Sequence, residues 1–245
     1  MTKIFDNILF IPHKYGQLKD GVNSPASFIK PLLDNSLNII ELLEKPDLIS
    51  NLTNIYQECL KYNKKSLFIG GDHSIALSTI KAIYQKNMKI IWIDAHADIN
   101  TIEESLSKNY HGMPLAFLTG LEKNIIDCPG REDIFVPFEN ILYIGIRSID
   151  DFEKSIIKKH NIHVIDSKSS NSHIKETLTN FIGDSNIHIS LDVDALDPEF
   201  MPCTGTLEEN GISLEKLCFV LNILKNFEIN SMDIVEFNPN QAKNI

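Results

Sequence analysis

No apolar run in the chain is long enough to span a bilayer, so a membrane-crossing helix is excluded. Thiolate chemistry is also poorly served. The four cysteines, Cys59, Cys128, Cys203 and Cys218, are scattered and form no Cys-x-x-Cys pair, which fits neither a disulfide framework nor a cysteine zinc site. Basic residues are in deficit, 23 Lys and Arg against 33 Asp and Glu. The resulting net charge of -10 argues against nucleic acid or an anionic membrane as the partner. Nothing at the start resembles a secretion signal: the apolar stretch before Pro12, His13 and Lys14 lacks a cleavage-like sequence and reads as a first strand. A cytoplasmic protein is expected. Low-complexity linkers and internal repeats are missing too, so residues 1–245 read as a single domain.

What is present is ordinary globular material, 43% hydrophobic and 23% charged. Short β-rich runs alternate with longer amphipathic ones. Strands are expected at 8–12, 66–69, 89–93, 141–146, 163–165, 187–191 and 231–235, several of them nearly continuous apolar. Helices are expected at 51–62, 74–85, 152–159, 172–181 and 214–224, the last capped by Ser213 with Lys216 three residues on, so without a capping box. This alternation predicts an α/β fold, a doubly wound, mostly parallel sheet with helices on both faces. The polar stretch 100–110 lacks periodicity and reads as an ordered functional loop.

Ligands of such sheets collect outside the carboxyl ends of the strands, and four strand ends here carry metal-type side chains. Asp94-Ala95-His96-Ala97-Asp98 follows Ile90 to Ile93. Side chains two apart on an extended segment share a face, so Asp94, His96 and Asp98 can converge. Carboxylates next to core residues are costly unless a positive charge meets them. Asp192-Val193-Asp194 repeats the pattern after 187–191; a calcium loop is excluded there, because its sixth and twelfth positions would be Asp197 and Cys203. Asp197, before Pro198, starts a turn instead. His73 follows Gly70-Gly71-Asp72, where no Gly-Lys phosphate signature is found, and Glu236 follows Ile234-Val235.

Two imidazoles and four carboxylates without a thiolate suit Mn²⁺, with Fe²⁺, Co²⁺ or Zn²⁺ as alternatives. Six ligands exceed one ion's usual share but suit two ions with bridging carboxylates, the arrangement of a binuclear hydrolase.

Three of these segments resemble the metal signatures of the ureohydrolase family, which includes arginase and agmatinase: Gly-Gly-Asp-His-Ser at 70–74, Asp-Ala-His-Ala-Asp at 94–98 and Ser-Leu-Asp-Val-Asp-Ala-Leu-Asp-Pro at 190–198. The resemblance spans Gly16 to Pro239 and implies an arginase-like three-layer αβα fold. It further implies two Mn²⁺ per subunit, one held by His73 and Asp98, the other by His96 and Asp194, with Asp94 and Asp192 bridging. A metal-bridging hydroxide would attack a guanidinium carbon and release urea. Glu236 would seat the guanidinium, and His111 would shuttle a proton to the leaving amine.

Within the family, Asp98-Ile99-Asn100-Thr101 looks like the arginase form. Asn100, Ser105 and Ser107 would then bind the carboxylate of L-arginine and Asp150 its α-amine, giving L-ornithine. Leu207 and Ser148 depart from the family pattern, which usually has proline and often an acid there. Agmatine or another guanidino substrate, and a non-catalytic metal-binding regulator, are the alternatives. The resemblance implies a homo-oligomer, trimer or hexamer. His13, His160, His163, His173 and His188 lie outside the motifs and read as ordinary structural histidines.

Overall fold

Eight short strands lie side by side in one sheet, and every pairing among them is parallel. The structure is a computed structural model that describes residues 4–34, 37–62, 65–122 and 135–244. The strands are β1 (Asn7–Phe10), β2 (Asn38–Glu41), β3 (Ser66–Ile69), β4 (Lys89–Ile93), β5 (Ile141–Ile144), β6 (His163–Ile165), β7 (Ile187–Asp192) and β8 (Ile229–Val235). The helices are α1 (Ala26–Ile29), α2 (Leu48–Lys61), α3 (Ala76–Ile83), α4 (Pro114–Thr119), α5 (Asp151–Lys159), α6 (Asn171–Ile182) and α7 (Leu214–Leu224). Spatial order across the sheet is β2-β1-β3-β8-β7-β4-β5-β6.

The strands are apolar on both faces because both faces are covered. On β4 and β5, Ile90, Trp92, Ile141 and Tyr143 join the core beneath α2 and α3, while Ile91, Ile93, Leu142 and Ile144 join the core with Ile174, Leu178, Leu217 and Val220 of α6 and α7. Period-two alternation thus feeds two separate cores, the signature of a buried parallel sheet. Each fully buried Ile or Leu contributes roughly 1.5–3 kcal/mol. The three-layer expectation holds.

Helix ends are marked by their own chemistry. Ser213 caps α7 by accepting from Lys216 N at 3.2 Å, as its sequence suggested. Ser170 caps α6 in the same manner, and Pro114 opens α4, which stops at Gly120 in the left-handed region (φ 74°). Asp197 takes the N–H groups of Glu199 and Gly211, both at 3.1 Å, and makes the expected turn.

Three differences from the sequence reading have local causes. The first is β2: its polar ends, Asn38 and Glu41, and its half-exposed place at the sheet edge leave no buried apolar run to detect. The second is the helix expected from Ser74, which begins as one 3-10 turn, His73–Ile75, because Asp72 accepts from Ser74 N at 3.0 Å. The third is α1 and α4, too short to show periodicity. Cys59, Cys203 and Cys218 are free thiols, and Cys128 lies outside the described residues. No helix among the described residues is long and apolar enough to cross a membrane.

Candidate metal centre and substrate cavity

The four middle strands of the sheet, β3, β8, β7 and β4, are consecutive neighbours. Their carboxyl ends deliver His73, Glu236, the pair Asp192 and Asp194, and the trio Asp94, His96 and Asp98 to one rim. Residues far apart in sequence meet there because the order of the strands, not their spacing in the chain, sets the neighbours.

His73 Nδ1 lies 3.0 Å from Asp94 Oδ2, 3.0 Å from Asp98 Oδ2 and 3.4 Å from Asp192 Oδ2. His96 Nδ1 lies 3.1 Å from Asp194 Oδ2 and 3.4 Å from Asp94 Oδ1. Two ligand clusters follow: His73, Asp94 and Asp192, and Asp94, His96 and Asp194, with the ligand atoms of each within 4.8 Å of one another. Asp94 belongs to both, as a bridging ligand must. Asp192 belongs to the first cluster alone, and Asp98 joins neither, although its carboxylate meets His73.

The ligands are held from behind. Trp92 Nε1 donates to Asp94 Oδ2 at 2.9 Å, and the indole stacks on the His73 ring with centroids 4.1 Å apart. His96 N donates to Asp94 Oδ1 at 2.7 Å, Asp194 N to Asp192 Oδ1 at 2.8 Å, and Ala95 N to Asp194 Oδ1 at 3.2 Å. Asp98 and Glu236 occupy left-handed backbone, φ 48° and 63°, a conformation that costs about 1–3 kcal/mol for a residue with a side chain.

These residues fit divalent cations. Buried His73 Nδ1 has no hydrogen-bond partner although three carboxylates surround it. Burial and the neighbouring Asp194 and Asp94 charges push Asp192 well above the carboxylate range, and burial with Asp94 pushes Asp194 up to about 6. Burial opposes the charged His96 ring, yet Asp194 and Asp94 overcome it and raise it to about 12. So many buried acids call for cations, and oxygen and imidazole donors without thiolate suit a hard or borderline one.

Glu236 closes the rim beside this centre. Its Oε1 accepts from His73 N at 2.9 Å and meets His111 Nδ1 at 3.1 Å, and its Oε2 accepts from Gln17 Nε2 at 2.6 Å. Against the opposing effect of burial, the hydrogen bond with His111 draws Glu236 below the ordinary range. Burial also disfavours the His111 cation, but the same bond raises it to about 9.

A cavity of 430 Å³ opens onto the centre, lined by His96, Asp98, Asp192, Asp194, His111 and Glu236 and, from the loop after β4, by Asn100, Ser105, Ser107 and Asn109. Ser105 Oγ accepts from Lys108 N at 3.1 Å and Ser107 Oγ from Asn109 N at 3.2 Å, and the two hydroxyls meet at 3.5 Å, so one of their protons bridges them. Asp150 stands outside the lining: it is exposed, caps α5 and accepts from Asn100 Nδ2 at 2.6 Å. Gln17, Leu18, Lys19 and Glu153 also line it, and none of them stood out in the sequence. Glu153 is buried at the wall, and burial raises its carboxyl to about 7. Its signal was the Asp-x-x-Glu spacing, a capping box with Asp150. Gln17 carries no such pattern.

The Arginase family model matches residues 21–245. The chain belongs to the arginase family. It is 39% identical to an arginase of Coccidioides immitis over 223 residues, 80% of this chain and 67% of that protein. An arginase of Staphylococcus aureus is 38% identical over 232 residues, 90% of this chain and 76% of the relative. Among solved structures, Entamoeba histolytica arginase in complex with L-ornithine superposes with a TM-score of 0.86 at 30% identity, covering 97% of this chain and 93% of that one. Membership makes this arginase-family protein a hydrolase of guanidino carbon–nitrogen bonds, and the ligand clusters stand where the sheet gathers its strand ends.

Proposed function

We propose that the protein hydrolyses L-arginine to L-ornithine and urea with two Mn²⁺ per chain. One observation carries the reading: Glu236, His111, members of both ligand clusters (Asp192, and His96 with Asp194) and a row of hydroxyl and amide groups line one cavity. Its likeness to a structure that holds L-ornithine supports the same choice of substrate.

His73, Asp94, His96, Asp98, Asp192 and Asp194 would hold the ions. Such ions would supply a nucleophilic water at neutral pH by lowering its pKa. The remaining roles fall to the chain itself. Glu236, ionised and fixed by Gln17, His73 N and His111, receives the N–H groups of the guanidinium. His111, protonated at neutral pH, gives its proton to the chain nitrogen as the carbon–nitrogen bond breaks, so the amine leaves neutral. Asn100, Ser105 and Ser107 meet the α-carboxylate, and Asp150 with Glu153 the α-amine at the rim. Eight strands in one sheet support a single domain over 1–245. A homo-oligomer, trimer or hexamer, and a cytoplasmic location complete the reading; sedimentation velocity and cell fractionation address them.

The test is urea release from Mn²⁺-loaded protein with L-arginine, agmatine and guanidinobutyrate in parallel. L-arginine is expected to turn over with the highest kcat/KM. A preference for agmatine would overturn the substrate, and no turnover of any would leave a metal-binding regulator.

A further inference from the structure

The two metal-type histidines each have a second ring nitrogen, and different groups meet them. His73 Nε2 lies 2.9 Å from the hydroxyl of Ser190. His96 Nε2 instead faces a carboxylate, Glu208 Oε1, at 3.7 Å. Glu208 comes from the connection between β7 and α7, outside every strand-end motif, and it does not line the cavity.

Its place before His96 is built rather than incidental. Ser148 Oγ donates to Glu208 Oε1 at 3.0 Å and so fixes the side chain. Arg147, the preceding residue, fixes the main chain: its Nη2 donates to the carbonyl of Glu208 at 2.7 Å and to that of Asp194 at 2.9 Å, and its Nε to that of Glu209 at 2.9 Å. One guanidinium therefore ties the loop that carries Glu208 to the backbone of a ligand residue.

We propose that Glu208 is a positioning residue for the ion that His96 would hold, an inference that rests on the dinuclear reading above. A neutral imidazole carries its proton on one nitrogen only. A carboxylate beside Nε2 keeps the proton there and leaves the Nδ1 lone pair for the metal, directed between Asp94 and Asp194. At 3.7 Å the carboxylate faces the ring nitrogen from beyond hydrogen-bond length, so it favours the proton there as a nearby negative charge. On the His73 side the second ring nitrogen meets a neutral hydroxyl in place of a carboxylate. The two ions are thus held by unlike outer shells.

The experiment is a Mn²⁺ titration of the metal-free protein by isothermal calorimetry, with electron paramagnetic resonance to follow pairing of the ions. The parent is expected to bind two. In Glu208→Gln, which keeps the shape and removes the charge, one dissociation constant should rise about 10–100-fold while the other stays at the parent's value. The paired signal should then appear only at higher Mn²⁺. Ser148→Ala should act on the same constant in the same direction, more weakly. The melting temperature of metal-free Glu208→Gln should match the parent's, which separates positioning from folding. Unchanged constants in Glu208→Gln, or equal weakening of both, overturn the proposal. A parent that binds fewer than two ions overturns the dinuclear reading itself, and this inference with it.

Discussion

The indole of Trp92 lies flat against the imidazole of His73, 8° from parallel, while its Nε1 donates to Asp94. The only tryptophan of the chain therefore touches one residue from each of two ligand segments. Mn²⁺ titration should change its fluorescence, with the change complete at two equivalents. An unaltered emission in protein shown by calorimetry to be loaded would place the ions elsewhere. Trp92→Phe removes a donor to a buried carboxylate and should cost about 1–3 kcal/mol in stability, measured by urea unfolding.

Asp94 serves both ligand clusters, so its charge should matter to both ions. Saturating Mn²⁺ is expected to raise the melting temperature of the parent by about 5–10 °C for each ion present at ~100 times its Kd. Asp94→Asn should lose this increment and urea release together. Two ions still bound per chain in the variant would contradict a bridging role.

Asn100 and Ser107 stand in the cavity wall at some remove in function from the ligands. Alanine at either position should raise KM for L-arginine about tenfold, the effect of one lost hydrogen bond to a charged group, with kcat nearly constant. Steady-state kinetics with agmatine, which has no carboxylate, supply the control. Equal effects on both substrates would remove the carboxylate role.

The pairing of His111 with Glu236 sets a pH dependence whose sign follows from the geometry. His111 is raised from 6.5 to about 9 on folding. Its contribution to stability is thus fully present below pH 6.5 and is lost as the pH climbs through about 9. In metal-free protein, His111→Asn should flatten the fall in melting temperature across that window. In the loaded enzyme the same variant should lower kcat about 10²–10⁴-fold, as expected for loss of a general acid. A parent-like pH profile of stability in the variant would show that the pair does not titrate together.

Much of this centre was legible because strand ends are chemically abrupt. Ile90 to Ile93 gives way to Asp94 within one residue, and the same break occurs at Asp192 and after Val235, so polar groups at the rim stand out against the core. The seven strands read from sequence all exist, within a few residues at their ends. What stayed hidden depends on contacts across the sheet. Gln17 reaches Glu236 over 219 residues of chain, and Glu208 reaches His96 only because Arg147 and Ser148 hold its loop. Ser148 looked like a missing acid; in the fold its hydroxyl serves an acid supplied from elsewhere. Asp150, read as a group for the substrate amine, also caps α5 and binds Asn100, and the acid the sequence did not single out is Glu153, buried beside it in the wall. His13 and His188, given ordinary structural roles, are indeed buried: His13 between Asn51 and Ser74, His188 beside Ser231 and Asp233.

Asp98 and Glu236 both hold the left-handed backbone that glycine adopts freely. A screen for heat resistance alone would therefore favour glycine at Asp98, where it relaxes the turn and removes one acid from a crowded rim, whereas at Glu236 the bonds to Gln17, His73 N and His111 oppose the change. The hits of such a screen would be durable proteins emptied of their chemistry. Selection on this scaffold has to score turnover alongside melting, or it will discard an acid of the centre for the sake of a relaxed turn.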